Sequence, residues 1–254
     1  MSQPMDSSPK VLRTVTAIRY ALPLREGGSL PGLMEADDDG LYVVKFRGAG
    51  QGAAALVSEV FFGEIARSLG LPIPEIVLVD LDVDISAAEG DPEIQDLLRS
   101  SAGLNLGIDF LPGAFPFAPP IARALAADIV WFDSLVMNVD RTAKNPNLLR
   151  WHNQVWIIDH GACLPAQHGD DPLSDAALRE FPRIADHVLL KHAGSIADAH
   201  SRLAPLLSAE MIRDAAALVP DSWFIKHGRE EYIDFVQKRL SSGPFAEEAE
   251  RVRS

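Results

Sequence analysis

The decisive stretch of this sequence is Asn138-Val139-Asp140-Arg141-Thr142-Ala143-Lys144-Asn145, a polar segment between two apolar regions. Residues 121–138 lead into it with apolar side chains repeated every three or four positions, a spacing that predicts an amphipathic helix. Residues 148–158 follow it as two apolar runs around a short polar turn, which predicts a hairpin. Asp159-His160-Gly161 comes directly after the hairpin. The pattern therefore predicts a polar loop beside a hairpin that ends in a carboxylate.

The N-terminal part of the sequence predicts a small α+β unit over residues 11–85. Strand-like runs occupy residues 11–20 and 33–46, the second of them interrupted by an acidic turn, and another β-rich run covers residues 76–83. Residues 53–69 carry apolar side chains at a spacing of four, which predicts a helix that ends before Gly70.

The remaining sequence predicts mainly helices. We expect a short helix at residues 92–101 and further helices over residues 175–199, 208–218 and 229–241. The polar end, residues 243–254, predicts a frayed segment.

Composition excludes several classes of protein. The 23 Lys and Arg residues against 36 Asp and Glu give a net charge of −13, which argues against direct binding to nucleic acid or to anionic membranes. Cys163 is the single cysteine, so we expect neither an internal disulfide nor a cysteine-based zinc site, and a cytoplasmic location. Residues 1–10 are polar and residues 121–139 contain two aspartates, so we expect no secretion signal and no membrane span.

The order of the polar residues indicates phosphoryl transfer. This chemistry requires groups that position phosphates, magnesium to neutralise charge, and a carboxylate beside the attacking hydroxyl. Lys45 on its strand can reach nucleotide phosphates, and Glu59 on the next helix can hold the lysine ammonium. Glu64 is the competing glutamate, but five residues place it about 140° around the helix from Glu59. Glu59 instead aligns with small residues that permit close approach to the sheet, and we therefore prefer it.

The polar loop and the hairpin end supply the other groups. Asp140 is placed to act on the acceptor hydroxyl, while Asn145 and Asp159 offer the oxygen ligands that magnesium prefers. Asn147 is a second candidate amide ligand.

Additional phosphate contacts are predicted from cations and glycines. Either Arg141 or Lys144 could add positive charge near the transferring phosphate. Gly27-Gly28-Ser29 is the candidate for a flap over the nucleotide. The glycine-containing segment at residues 48–52 suits a phosphate cradle and a plain connection equally well.

We expect Cys163 and five of the histidines to have structural rather than catalytic roles. A small buried hydrophobe is the preferred role for Cys163. Surface or helix-capping roles are the default for five histidines, which are His168, His187, His192, His200 and His227.

The stretch Asn138 to Asn145, the hairpin and Asp159-His160-Gly161 together resemble the catalytic core of HipA-like kinases, which is itself similar to that of phosphoinositide kinases. Tyr42-Val43-Val44-Lys45-Phe46, Gly50-Gln51-Gly52 and the helix that carries Glu59 also resemble the compact HipA-like kinases of bacteria. The resemblance covers roughly residues 10 to 240.

The resemblance implies an α+β fold of the bilobal, protein-kinase-like type. A small β-rich N-lobe that binds nucleotide would cover residues 11–103, and a larger, mainly helical C-lobe with the catalytic loop would cover residues 104–242. Residues 1–10 would be disordered, and residues 243–254 would form the frayed tail.

The resemblance also implies roles for individual residues. Lys45 would contact ATP phosphates, Asp140 would be the catalytic aspartate, and Asn145 and Asp159 would hold Mg²⁺. The acceptor would be a serine or threonine hydroxyl, on a protein.

Departures from the family pattern leave two other functions open. Relatives have histidine at the position of Thr142, protein kinases have histidine at the position of Asn138, and His160 replaces a phenylalanine. A nucleotide-binding pseudokinase, which would bind a regulatory partner without catalysis, is the first alternative. A metal-dependent phosphohydrolase built on Asp140, Asp159 and His160 is the second.

Overall fold

The computed structural model describes residues 11–24, 31–49 and 52–254. Residues 1–10, predicted to be disordered, and the candidate flap Gly27-Gly28-Ser29 lie outside the described residues. Within the described ranges the chain combines a strand-rich N-terminal part with a mainly helical C-terminal part, which agrees with the predicted α+β class.

A closed barrel of five strands forms the N-terminal part of the described chain, in the order β1-β2-β3-β5-β4. The strands are β1 (Thr14–Pro23), β2 (Gly32–Ala36), β3 (Leu41–Lys45), β4 (Ile76–Leu81) and β5 (Gly103–Asp109). Neighbouring strands are antiparallel, except that β1 and β4 are parallel. The predicted strands are therefore confirmed, and β5 is an addition.

The barrel extends beyond residue 103, the predicted end of the N-terminal domain, because it includes β5. It pairs with β3 on one side and β4 on the other, so the barrel continues to Asp109. Gly107 allows close packing, because a Cβ atom there would lie 2.6 Å from the Val79 side chain. A short run that contains Asn and Gly has weak strand propensity, which is why sequence pattern alone does not reveal β5.

Two helices accompany the barrel, α1 (Gly52–Ser68) and α2 (Pro92–Ser100). Gly70 lies two residues after the end of α1 and has a φ of +81°, the left-handed conformation that glycine adopts readily after a helix. Every residue from Ala55 to Ala66 is buried. The apolar residues of α1 belong to the same core as the C-terminal helices, whereas the barrel interior forms a separate core. α1 is therefore enclosed rather than lying on an open surface.

The C-terminal part is built around the buried helix α3 (Arg123–Leu135), which is followed by the predicted hairpin. The short strand β6 (Phe115–Pro116) extends the hairpin of β7 (Leu148–Trp151) and β8 (Gln154–Ile157) into a three-stranded sheet. Five helices follow, which are α4 (Leu173–Ala176), α5 (Ile196–Leu203), α6 (Ala209–Ala217), α7 (Arg229–Ser242) and α8 (Phe245–Arg253). α3 packs against α5, α7 and α8.

The predicted helix over residues 175–199 is wrong. The structure has α4 and α5 at its two ends, with short 3-10 turns at Pro182–Asp186 and Leu190–His192 between them. Pro182 begins the first of these turns, and a proline inside a helix removes a backbone donor and clashes with the preceding turn.

The predicted frayed tail is also wrong. α8 occupies it, and Phe245 and Ala249 are buried in the core. Glu250 accepts the backbone N–H groups of Ile196 and Ala197 at 2.6 and 2.9 Å. The tail is ordered because it contributes apolar side chains to the core and a carboxylate to the start of α5.

Among the described residues, none of the helices combines the length and the apolar character that crossing a bilayer requires.

Candidate active site

Lys45 lies between two carboxylates at the end of β3. Its ammonium forms an ion pair with Glu59 on α1 and a second with Asp159 Oδ1 at 2.8 Å. Its side chain is only 13% exposed, and that of Glu59 is 3% exposed, so this pair is shielded from water. The structure therefore brings together three residues that are separated in sequence and that were all predicted to belong to the site.

The charges of this group shift its protonation equilibria. Burial lowers the pKa of Lys45, but the negative charges of Glu59 and Asp159 outweigh burial and raise it above its usual value. Burial raises the pKa of Asp159, but the positive charge of Lys45 outweighs that effect and holds the pKa well below its usual range. Lys45 is therefore cationic and Asp159 anionic at neutral pH.

Glu59 also holds the turn that follows the hairpin. Its two carboxylate oxygens accept the backbone N–H groups of His160 at 2.9 Å and Gly161 at 3.0 Å. Gly63 lies one turn further along α1, where a Cβ atom would come within 2.7 Å of the Ile76 side chain on β4. Glu59, which was preferred over Glu64, is the glutamate that pairs with Lys45, and Glu64 forms an ion pair with Arg67 on its own helix.

The polar loop holds Asp140 through neighbouring amides. Asp140 Oδ2 accepts hydrogen bonds from Asn145 Nδ2 at 2.7 Å and from Asn147 Nδ2 at 3.4 Å. Its backbone N–H donates to Asn138 Oδ1 at 3.1 Å. Thr142 completes the loop, because its N–H donates to Asn145 O at 3.0 Å and its Oγ1 accepts the Asn145 N–H at 3.3 Å. One oxygen of Asp140 is thus fixed by the loop itself.

Arg141 does not have the predicted position near a transferring phosphate. Its side chain is fully buried and pairs with Asp133 on α3. Its guanidinium donates to the backbone oxygens of Asn147 at 2.6 Å and Ile158 at 3.0 Å. A side chain committed to internal acceptors cannot also contact a substrate, so Arg141 ties the loop to the hairpin. Lys144 is exposed on the loop, and its predicted catalytic role stays a prediction.

Asp133 and His187 are site residues that the sequence analysis missed. Asp133 Oδ2 lies 2.8 Å from His187 Nε2, and Asp133 Oδ1 accepts from Asn138 Nδ2 at 3.0 Å. Burial raises the pKa of Asp133, but Arg141 and His187 outweigh burial and hold it well below its usual range. The surface location predicted for His187 and His227 is wrong, because both are buried. The capping alternative agrees with His187, whose Nδ1 accepts the Leu189 N–H at 3.1 Å beside the turn Leu190–His192. The one sequence signal for this cluster is an aspartate within an apolar helix.

His160 is buried behind the site and does not face a substrate. It is 1% exposed, and its ring packs edge-on against Phe132 with a centroid distance of 6.0 Å. Burial and the positive charge of Arg141 lower its pKa to about 3, so the ring is neutral. These observations contradict the phosphohydrolase hypothesis, which needs His160 at the reacting phosphate. Cys163 is buried as predicted.

The predicted magnesium ligands have suitable chemistry. Asn145 commits its amide nitrogen to Asp140, which leaves its amide oxygen as the atom for a cation, and Asp159 is an ionised, partly exposed carboxylate. No group of three or more His, Cys, Asp or Glu side chains in the described ranges could hold a metal. Magnesium bound with a nucleotide needs fewer, because phosphates and water complete its coordination. The residues present therefore fit magnesium held jointly with phosphate.

The fold is similar to that of a kinase of known structure. The crystal structure of the Helicobacter pylori proinflammatory kinase CtkA matches with a TM-score of 0.59 at 16% sequence identity, over 94% of this chain and 97% of that one. The crystal structure of the Golgi casein kinase matches with a TM-score of 0.49 at 12% identity, over 95% of this chain and 72% of that one. Among curated proteins, the sequence has no significant match.

The family follows from the sequence. A family model described as HipA-like kinase matches residues 18–243. The chain belongs to the HipA-like kinase family, as the resemblance of the polar loop and hairpin implied.

Proposed function

We propose that this HipA-like kinase transfers the γ-phosphoryl group of ATP, with magnesium, to a serine or threonine hydroxyl of a protein. The observation that carries the proposal is the group formed by Lys45, Glu59 and Asp159, which places a fixed cation beside an ionised carboxylate. Such a pairing meets the need of phosphoryl transfer for positioned charge. The nucleotide would lie between the barrel and the helical part, as in a bilobal kinase.

Each residue would contribute a separate function to the reaction. Lys45 would bind the nucleotide phosphates, with Glu59 holding its ammonium in place. Asp159 and the Asn145 amide oxygen would hold magnesium, which when bound supplies charge neutralisation at the phosphates. Asp140 would accept the proton of the attacking hydroxyl through the oxygen that the loop amides do not engage.

The replacements at Asn138 and Thr142 support an active enzyme rather than a pseudokinase. Asn138 is buried and links Asp133 to the backbone of Asp140, and Thr142 hydrogen-bonds with Asn145. Both residues therefore hold the loop in place, which a catalytic aspartate needs.

The first test is ligand-induced stabilisation, because it requires no knowledge of the acceptor. We expect ATP with magnesium, at a hundred times its dissociation constant, to raise the thermal midpoint by about 5 °C or more. Asp159→Asn should lose the magnesium-dependent part of this shift. Asp96→Asn is the matched control, since Asp96 is 80% exposed on α2, and it should keep the whole shift. A wild-type protein that is not stabilised by ATP and magnesium would contradict the proposal.

The second test separates binding from catalysis. Asp140→Asn should keep the thermal shift but lose most transfer of labelled phosphate from ATP to a panel of model proteins. Phosphorylated serine and threonine would then be identified by mass spectrometry. Nucleotide binding without any transfer in the wild type would favour the pseudokinase alternative.

A further inference from the structure

Gln167 is a fully buried polar residue behind the site, in the 3-10 turn Pro165–His168. Its amide oxygen accepts from Ser58 Oγ at 2.8 Å and from the Tyr232 hydroxyl at 3.1 Å. Its amide nitrogen donates to Cys163 O at 3.0 Å and lies 3.5 Å from Gly161 O. A glutamine amide has two donors and two acceptor positions, so Gln167 uses all of them.

The hydrogen bonds of Gln167 hold two segments next to the residues proposed to bind ATP. Ser58 directly precedes Glu59 on α1, so the hydrogen bond from Ser58 to Gln167 holds the helix at the residue next to the glutamate. Gly161 donates its N–H to Glu59, while its carbonyl oxygen faces Gln167. The turn is thus held by Glu59 on one side and by Gln167 on the other.

The network also connects α1 with the C-terminal helices. Tyr232 lies on α7, and its ring packs edge-on against Phe61 of α1 with a centroid distance of 6.0 Å. Ser58 and Tyr232 are both buried, so their hydroxyl groups would lose hydrogen bonds if α1 moved away. The buried amide therefore opposes displacement of the helix that carries Glu59.

We propose that Gln167 is a positioning residue that holds α1 against the Asp159–Gly161 turn, so that Glu59 stays paired with Lys45. The inference rests on the proposed function, since it concerns the same phosphate-binding pair. The Lys45–Glu59 pair forms without a modification or a partner that would move α1, because internal hydrogen bonds already hold the helix in place.

The test compares Gln167→Met with a matched control. Methionine has a similar length but cannot replace the amide, so the Ser58 and Tyr232 hydroxyls and the Cys163 carbonyl lose a partner. The control is Gln237→Met, because Gln237 is a partly exposed glutamine of α7 outside the site. Ser58→Ala is the milder second variant and serves if Gln167→Met does not fold.

Two measurements are made on each variant. Hydrogen–deuterium exchange of the full chain without nucleotide is followed in peptides that cover residues 52–62, 158–164 and 245–253. Steady-state release of ADP is measured with ATP, magnesium and a mixture of model proteins as acceptor.

We expect exchange in Gln167→Met to rise about tenfold or more in the first two peptides and to stay unchanged in the third, because the opening is local. Turnover at saturating ATP should fall about ten- to a hundredfold, since a small displacement of a positioning group has effects of that size. Ser58→Ala should change both readouts in the same direction, and Gln237→Met should change neither.

Three results would overturn the inference. Unchanged exchange in the first two peptides, or an equal rise in all three, would mean that Gln167 only fills the core. A local rise in exchange with wild-type turnover would mean that the helix position does not matter for the reaction. A wild-type protein that shows no nucleotide-induced thermal shift would instead refute the proposed function, while the exchange data would still decide whether Gln167 holds α1.

Discussion

The side chains of Asp133 and Arg141 form an ion pair from which solvent is fully excluded. Asp133 belongs to the buried helix α3, and Arg141 directly follows the proposed catalytic aspartate. Two buried charges are tolerated only when each has further hydrogen bonds, and here Asn138 and His187 supply those of the carboxylate. The two backbone oxygens that Arg141 contacts supply those of the guanidinium.

Arg141→Lys should destabilise the protein by about 3–5 kcal/mol, because an ammonium cannot reach Asp133 and both backbone oxygens at once. Chemical denaturation of the variant and of wild type measures this difference. Arg183→Lys is the control, since Arg183 is exposed and pairs with Asp186 at the surface, and it should leave stability almost unchanged. If Arg141→Lys lost turnover with no loss of stability, Arg141 would act on substrate after all.

Asp133→Asn should show a stability difference from wild type that depends on pH. The pKa of Asp133 in the folded protein lies below its unfolded value, so the carboxylate stabilises the fold above about pH 4 and loses this contribution as the pH falls further. The difference between the two proteins should be about 3–5 kcal/mol at pH 7 and should narrow below pH 4 by roughly 1.4 kcal/mol per pH unit. Urea unfolding at pH 7 and at several values below 4 measures it. A difference that widened in acid would contradict the assignment of the low pKa.

Glu59→Gln should weaken nucleotide binding and turnover while leaving the overall fold intact. Glutamine keeps the shape of the side chain but removes the carboxylate that pairs with the Lys45 ammonium, and its amide NH2 replaces one of the two oxygens that accept the His160 and Gly161 N–H groups. We expect kcat/KM for ATP to fall about a hundredfold, the size of effect seen when a group that stabilises transition-state charge is lost. Glu64→Gln is the matched control on the same helix and should keep the ATP-induced thermal shift. Equal effects of the two substitutions would point to helix packing rather than to Lys45.

Phe245→Ala should destabilise the protein by about 3–4 kcal/mol, because it removes a buried aromatic side chain and leaves a cavity. The comparison is with Val252→Ala on the same helix, where the side chain is 37% exposed and the expected change is within about 0.5 kcal/mol. Thermal and urea unfolding measure the change in stability of both variants. If Phe245→Ala left stability almost unchanged, residues 243–254 would be frayed, as the sequence predicted.

Local pattern was sufficient for most elements and for the choice of the residues that the structure brings together around Lys45. The hairpin, α1 and the end of α1 before Gly70 follow from periodicity and turn residues within short windows of sequence. The choice of Glu59 over Glu64 follows from helix geometry, because only one face of α1 can meet β3. In each case the deciding interactions lie within one element or between neighbours in sequence.

Contacts between distant residues account for what the sequence analysis missed. Asp133 and His187 are 54 positions apart, and Ser58 and Gln167 are 109 positions apart. Local pattern does not identify the partner in such pairs, even where it draws attention to one member, as it does for the aspartate within the apolar helix α3. The same reason explains Arg141, which was predicted to face phosphate and in fact lies inside the protein.

The sequence by itself determined the family, the helix, loop and hairpin around residues 121–161, and the candidate groups for phosphoryl transfer, since these depend on residue type and spacing. Tertiary structure alone decided which polar residues face the site and which are buried beneath it. The same packing decided that β5 closes the barrel and that residues 245–253 form a helix. The physical reason is that burial and hydrogen-bond partners are properties of the folded chain, set by segments that meet only after folding.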